Sequence, residues 1–215
     1  MQTHDQEKRV KSRLLTQKLK GPLPGLSAQR IMAPRSADAA QYYQVSDTAR
    51  HAAVMLLLYQ KGSEWHTLFM KRSIRQNDKH SGQLSFPGGK KDLTDKSLKE
   101  TALRETNEEV GISSDDIDII GSLSPLYVYA SDFVVQPYVG ITHPEVEIIK
   151  NDDEVDKVIT APMKYFDQRE ILKHTNLEVR NMVIKDVPYF DLYGEVLWGA
   201  TAMMFSEFLY LWREL

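Results

Sequence analysis

The 215-residue chain contains no cysteine. That absence removes disulfide frameworks, thiolate nucleophiles, iron–sulfur clusters and cysteine-ligated zinc. Long apolar runs are missing too. The longest, such as Ala52-Ala53-Val54-Met55-Leu56-Leu57-Leu58, fall far short of the roughly 20 residues that span a bilayer. The N-terminus lacks the apolar core of a signal peptide, so the expectation is a soluble, cytoplasmic protein without a membrane partner. Nor does one charge dominate. Lys and Arg number 27 against 30 Asp and Glu, a net −3, which gives no support to nucleic-acid binding. What is present is a 42% apolar composition, enough for a sizeable core in one elaborated domain.

The first twenty residues are basic, and Val10, Leu14 and Leu15 recur at helical spacing. This predicts a short amphipathic helix docked on the domain, ended by Gly21-Pro22-Leu23-Pro24-Gly25. Residues up to Ala49 read as loop. The division expected is therefore 1–49, an N-terminal helix and linker, and 50–215, the compact domain. Within the latter, strands are expected at His51–Tyr59, Thr67–Met70, Gln83–Phe86, Ile117–Leu123, Phe133–Ile141, Val155–Ile159, Val179–Ile184 and Tyr189–Leu192. Helical character marks Ser97–Val110, Pro162–Leu172 and Thr201–Leu215. The fold class is α/β (α+β), a mixed sheet covered by helices. The eight methionines, Phe190 and Trp198 read as core.

Ser97–Val110 is the most informative stretch. At about 100° per residue, Leu98, Ala102, Leu103, Thr106 and Val110 share one arc. Glu105, Glu108 and Glu109 lie at its margin, so they point at the seam between helix and body rather than at solvent. They also occupy the last turn, where the helix dipole disfavours negative charge. Crowded carboxylates raise each other's pKa unless a cation neutralises them. A divalent ion accounts for this arrangement, and hard oxygen donors favour Mg2+ or Mn2+ over zinc. Magnesium commonly binds with substrate phosphates, which suggests phosphoryl chemistry. Arg104 stands one turn before Glu108 and can pair with it.

With the glycine pair upstream, Gly89, Arg104, Glu105, Glu108, Glu109, Gly111 and Ile112 resemble the signature of the Nudix hydrolases. One extra residue separates Gly89 from Arg104, Thr106 replaces an apolar residue, and the early glutamate is replaced by Asp95 or Lys96. The resemblance implies a Nudix fold, with the mixed sheet sandwiched between helices. It implies metal ligation by Glu105 and Glu109, with Glu108 binding through water or at a second metal. It also implies a ligand from the Gly89 carbonyl. Many members add an acid from a later loop, and Glu154 is the candidate.

Upstream, Lys71-Arg72-Ser73 and His80-Ser81-Gly82-Gln83-Leu84-Ser85-Phe86-Pro87-Gly88-Gly89 resemble the extra signature of the coenzyme A pyrophosphatase branch. Val187-Pro188-Tyr189-Phe190 and Trp198-Gly199-Ala200-Thr201-Ala202 resemble its C-terminal segment. One departure is Asp78, where the branch often has arginine. Lys71, Arg72, Arg75 and Lys79 against Asp78 give this loop a local charge of +3, suited to a phosphate-rich ligand. The expected substrate contacts are Arg72, Arg75, Lys79 and Gly88, with His80 either a phosphate contact or a turn residue. The activity implied is cleavage of coenzyme A or acyl-CoA to 4′-phosphopantetheine, or its acyl form, and adenosine 3′,5′-bisphosphate. Glu105, Glu108 and Glu154 remain alternatives for the base, and a homodimer is compatible. Competing functions are hydrolysis of ADP-ribose or another nucleoside diphosphate derivative, and a ligand-sensing domain without catalysis. All three signature glutamates are retained, which argues against the latter.

Overall fold

The computed structural model describes residues 2–34, 44–74, 81–143, 146–179 and 182–215. Helix α1 (Gln2–Leu19) buries Leu15 and Leu19, four residues apart on one stripe. Val10 and Leu14, expected on the inner face, are 52% and 40% exposed, so the contact stripe is rotated from the expected one. The stretch expected as loop contains α2 (Leu26–Gln29) and a 3₁₀ turn at Arg30–Met32, whose Met32 is fully buried.

Strands β1 (Arg50–Lys61) and β2 (Glu64–Arg72) form a hairpin through Gly62-Ser63. β3 (Leu84–Ser85) and β4 (Gly88–Lys90) lead into α3 (Leu98–Val110). β5 (Ile117–Ser122), β6 (Leu126–Val128), β7 (Phe133–Thr142) and β8 (Val155–Pro162) complete a mixed sheet. Its order is β3-β2-β1-β7-β5, with β4 on β1, β6 on β7 and β8 on β2. Among the described residues only the β1–β7 ladder is parallel. A second, three-stranded sheet holds β9 (Leu172–Val179), β10 (Met182–Leu192) and β11 (Glu195–Trp198), followed by α4 (Gly199–Trp212).

Two expected elements differ. Residues 162–172 make 3₁₀ turns at Met163–Asp167 and Arg169–Ile171 rather than a helix. Val179–Ile184 is not one strand but the ends of two, since Val179 pairs with Met182 across a hairpin. Short apolar runs specify burial better than they specify period.

β1 explains why the sheet has two covered faces. Ala53, Met55 and Leu57 join Ala102 and Val110 of α3 in one cluster. Ala52, Leu56 and Leu58 join Leu15, Leu19, Met32 and α4 in the other. In the second cluster Phe205 packs on Phe166 at 4.6 Å and edge-on to Phe69 at 5.1 Å. Phe190 is buried there as expected of a core residue. Met182 breaks the methionine expectation, being 65% exposed on β10.

α4 also carries Glu207 into the interior, where it is 0% exposed. Its carboxylate accepts from the Gly25 N–H at 3.0 Å, Gln29 Nε2 at 2.8 Å and Ser124 Oγ at 2.7 Å. No described helix is long and apolar enough to cross a membrane.

Candidate metal and phosphate site

Helix α3 starts where Ser97 caps it, its hydroxyl accepting from the Glu100 N–H at 3.2 Å. It stops at Gly111, which is left-handed (φ 73°) and donates to the Asn107 carbonyl at 3.0 Å. Between these ends the three glutamates separate by environment. The Glu109 side chain is 2% exposed, Glu105 15% and Glu108 50%. Glu105 and Glu109 therefore do face the seam. Glu108, expected there too, stands at its solvent edge.

The glycine pair explains the seam's closeness. Gly88 has φ 151°, and a Cβ there would lie 2.3 Å from the Ala53 carbonyl oxygen. A Cβ on Gly89 would lie 2.6 Å from the Glu105 carboxyl. Only a bare backbone lets β4 run under α3 at this distance. The Gly88 N–H thereby donates to Glu109 Oε2 at 2.8 Å.

Arg104 organises the other carboxylates. Nη1 donates to Glu105 Oε1 and to Glu108 Oε2, both at 2.9 Å. Its Nε and Nη2 donate to Asp95 Oδ1 and Oδ2, each at 3.0 Å. Asp95 is itself buried and accepts from Thr101 Oγ1 at 2.9 Å and the Asp92 N–H at 2.8 Å. So Asp95, not Lys96, fills the place of the early glutamate, a shorter acid reaching inward from a turn. The Arg104 guanidinium holds its carboxyl far below the usual range, and Asp95 in turn holds Arg104 charged.

The site is electrostatically unsatisfied. Burial pushes the Glu109 carboxyl up to about 8, against the pull of the Gly88 N–H and Arg72. Glu105 is also raised, first by burial and further by Glu108 and Glu154, while Arg104 opposes. Glu154 thus lies close enough to act on both buried acids, and its backbone carbonyl accepts from the Ser73 N–H at 2.9 Å. Arg72 Nη1 stands 3.5 Å from Glu109 Oε1. Among the described residues no three Asp, Glu or His side chains are grouped closely enough to hold an ion as they stand. In this arrangement arginines engage the acids. The donor set still fits a hard divalent cation: oxygen ligands, raised carboxyl pKa values that a cation would lower, and a backbone cradle with no room for a Cβ.

Arg72, Gly88, Gly89, Arg104, Glu105, Glu108, Glu109 and Glu154 are thus in one region. Arg75, Lys79 and His80 lie outside the described residues. Lys71 leaves the basic patch: β2 turns it to the opposite face from Arg72, where Glu195 binds it at 3.0 Å. The sequence named Asp95 as one of two replacements for the early glutamate but not as the anchor of Arg104, and it did not point to Glu195 at all. The turn Asp92-Leu93-Thr94-Asp95 just before the Ser97 cap was the available signal for the first. Glu195 carried none.

A family profile described as the NUDIX domain matches residues 49–185. An uncharacterized Nudix hydrolase, NudL, of Photorhabdus laumondii is 33% identical over 165 residues, covering 76% of this chain and 86% of that protein. NudL of Yersinia pestis (strain Pestoides F) is 34% identical over 158 residues, covering 73% and 77%. Among solved structures, the NUDIX domain of Shewanella oneidensis NrtR, complexed with ADP ribose, aligns at TM-score 0.48 and 17% identity. That alignment covers 83% of this chain and 98% of that one.

Proposed function

Since the chain belongs to the Nudix hydrolase family, we propose that it is a metal-dependent pyrophosphatase of coenzyme A or acyl-CoA. The single observation that carries the substrate reading is Arg72, an arginine of the coenzyme A branch signature, standing 3.5 Å from the buried Glu109.

Glu105, Glu109 and the Gly89 carbonyl would hold Mg2+ or Mn2+, with Glu108 joining from the solvent edge. When bound, the metal supplies charge neutralisation for the pyrophosphate and a water of lowered pKa. The chain's own residues do the rest. Asp95 fixes Arg104, and Arg104 fixes the Glu105 and Glu108 carboxylates so that they do not splay apart. The Gly88 N–H and Arg72 orient Glu109. A carboxylate of the set Glu105, Glu108 and Glu154 takes the proton of the attacking water as it approaches phosphorus in line with the leaving phosphate. Arg72 is placed to bind a non-bridging oxygen and hold the pyrophosphate to that line.

The test is a product assay over a panel of pyrophosphates with magnesium or manganese. Release of 4′-phosphopantetheine and adenosine 3′,5′-bisphosphate at the highest kcat/KM is expected. Faster cleavage of ADP-ribose would replace this reading with the nucleoside diphosphate one.

A further inference from the structure

Lys71 and Lys157 are directly opposed across the β2–β8 ladder. Like charges in opposed positions repel, so such a pair calls for an anion between them. One is present. The hairpin turn of Tyr193 and Gly194 between β10 and β11 brings the Glu195 carboxylate against Lys71 Nζ, with its two oxygens at 3.0 and 3.2 Å. Lys157 Nζ lies 3.9 Å from the same carboxylate. Two ammonium groups thus share one carboxylate, and the cluster keeps an excess of positive charge.

Three features make this more than a strut between sheets. The side chains of Lys71, Lys157 and Glu195 are 29%, 58% and 25% exposed, so solutes reach them. Glu195 comes from the other sheet, so it can withdraw without breaking the β2–β8 ladder. And Lys71 directly precedes Arg72, so adjacent residues of one strand serve the two faces at the end of β2 nearest the carboxylates.

We propose that Lys71 and Lys157 form a second anion site, for a phosphate dianion, with the Glu195 carboxylate as the resident occupant that the ligand displaces. A phosphate dianion neutralises both ammonium groups, which a single carboxylate does not, and lysine binds phosphate as a point charge. The ligand is either the additional phosphate of the substrate, a deepening that rests on the coenzyme A reading, or free phosphate.

The experiment is calorimetric binding of adenosine 3′,5′-bisphosphate, AMP and inorganic phosphate to the full chain in chelator, where no turnover occurs. Lys157→Gln and Lys71→Gln are each expected to weaken the bisphosphate about tenfold, the loss of one charge-assisted contact. Glu195→Gln is expected to tighten it several-fold, since the competitor loses its charge. A loss confined to the bisphosphate identifies the substrate's own extra phosphate. An equal loss for all three ligands identifies free phosphate. Unchanged affinities for every ligand in both lysine variants, with lowered melting temperatures, would reduce the cluster to a strut and overturn the proposal. Failure to cleave coenzyme A would remove the substrate reading and leave these binding ratios standing.

Discussion

Asp95 and Arg104 meet through two parallel hydrogen bonds of 3.0 Å, from Nε to Oδ1 and from Nη2 to Oδ2. The pairing ties the turn before α3 to its middle. The arginine's remaining edge is left to clamp Glu105 and Glu108.

Asp95→Asn keeps the shape and removes the charge. Charge-assisted hydrogen bonds are worth about 1.5–3 kcal/mol, so a melting-temperature drop of roughly 3–10 °C is expected for a domain of this size. Divalent-ion affinity should weaken as well, because Glu105 and Glu108 lose their clamp. A melting curve identical to the parent protein's would show that Arg104 is held by its glutamates alone.

Glu109→Gln should lower activity by at least ~100-fold, since an amide supplies none of the carboxylate's charge to a bound cation. The metal-free protein should melt at the same temperature or higher, because a buried carboxyl that must take up a proton on folding has gone. Turnover close to the parent rate would argue decisively against a metal site on α3.

Divalent ions should raise the melting temperature by mass action, and the rise should shrink in Glu105→Gln. Scans with magnesium, manganese and zinc separate the donor types. A response to zinc alone contradicts the all-oxygen reading.

The metal-free protein should lose stability as pH rises. Glu109 titrates at about 8 in the fold against 4.5 as its ordinary value. Between those values the native state binds a proton that the unfolded chain has released. Stability therefore falls across that window, by up to about 1.4 kcal/mol per pH unit from this group. Above it the dependence from Glu109 levels off. Denaturant titrations in chelator at several pH values measure it, and a stability that climbs through the window contradicts the burial of Glu109.

Arg72→Ala should reduce kcat/KM for coenzyme A and 3′-dephospho-coenzyme A alike, by roughly tenfold or more. On the proposed reading, its contact with Glu109 would put it at the pyrophosphate that both substrates share. A loss restricted to coenzyme A would move Arg72 to the extra phosphate instead.

The α3 stretch was legible because its requirements are local. Ser97 caps, Gly111 stops, and the arc of Leu98, Ala102 and Val110 buries one side. Helical angles alone placed Glu105 and Glu109 at the seam. They did not separate Glu108, which is 50% exposed at the solvent edge, from its two neighbours. Lys71 and Glu195 are far apart in sequence, and only the packing of one sheet on the other brings them together. The hairpin of β9 and β10 was hidden for a different reason. Val179 and Ile184 have the same apolar character on either side of a reversal, so pattern alone joins them.

Glu207 has a consequence for where this protein can be cut. Its donors Gly25 and Gln29 precede the family match at residues 49–185, and Glu207 itself follows it. A fragment trimmed to the matched region would discard the acid and two of its donors, leaving Ser124 without its partner, and strip Leu15, Met32 and Phe205 from the core. Trimming only the N-terminal segment would be worse, since it leaves the interior Glu207 carboxylate without its Gly25 and Gln29 donors and with those of Ser124 alone from this set. The recognisable signature is thus shorter than the cooperative unit. The first thirty residues close onto the last helix over the face of the sheet opposite α3, and both lie outside the matched stretch.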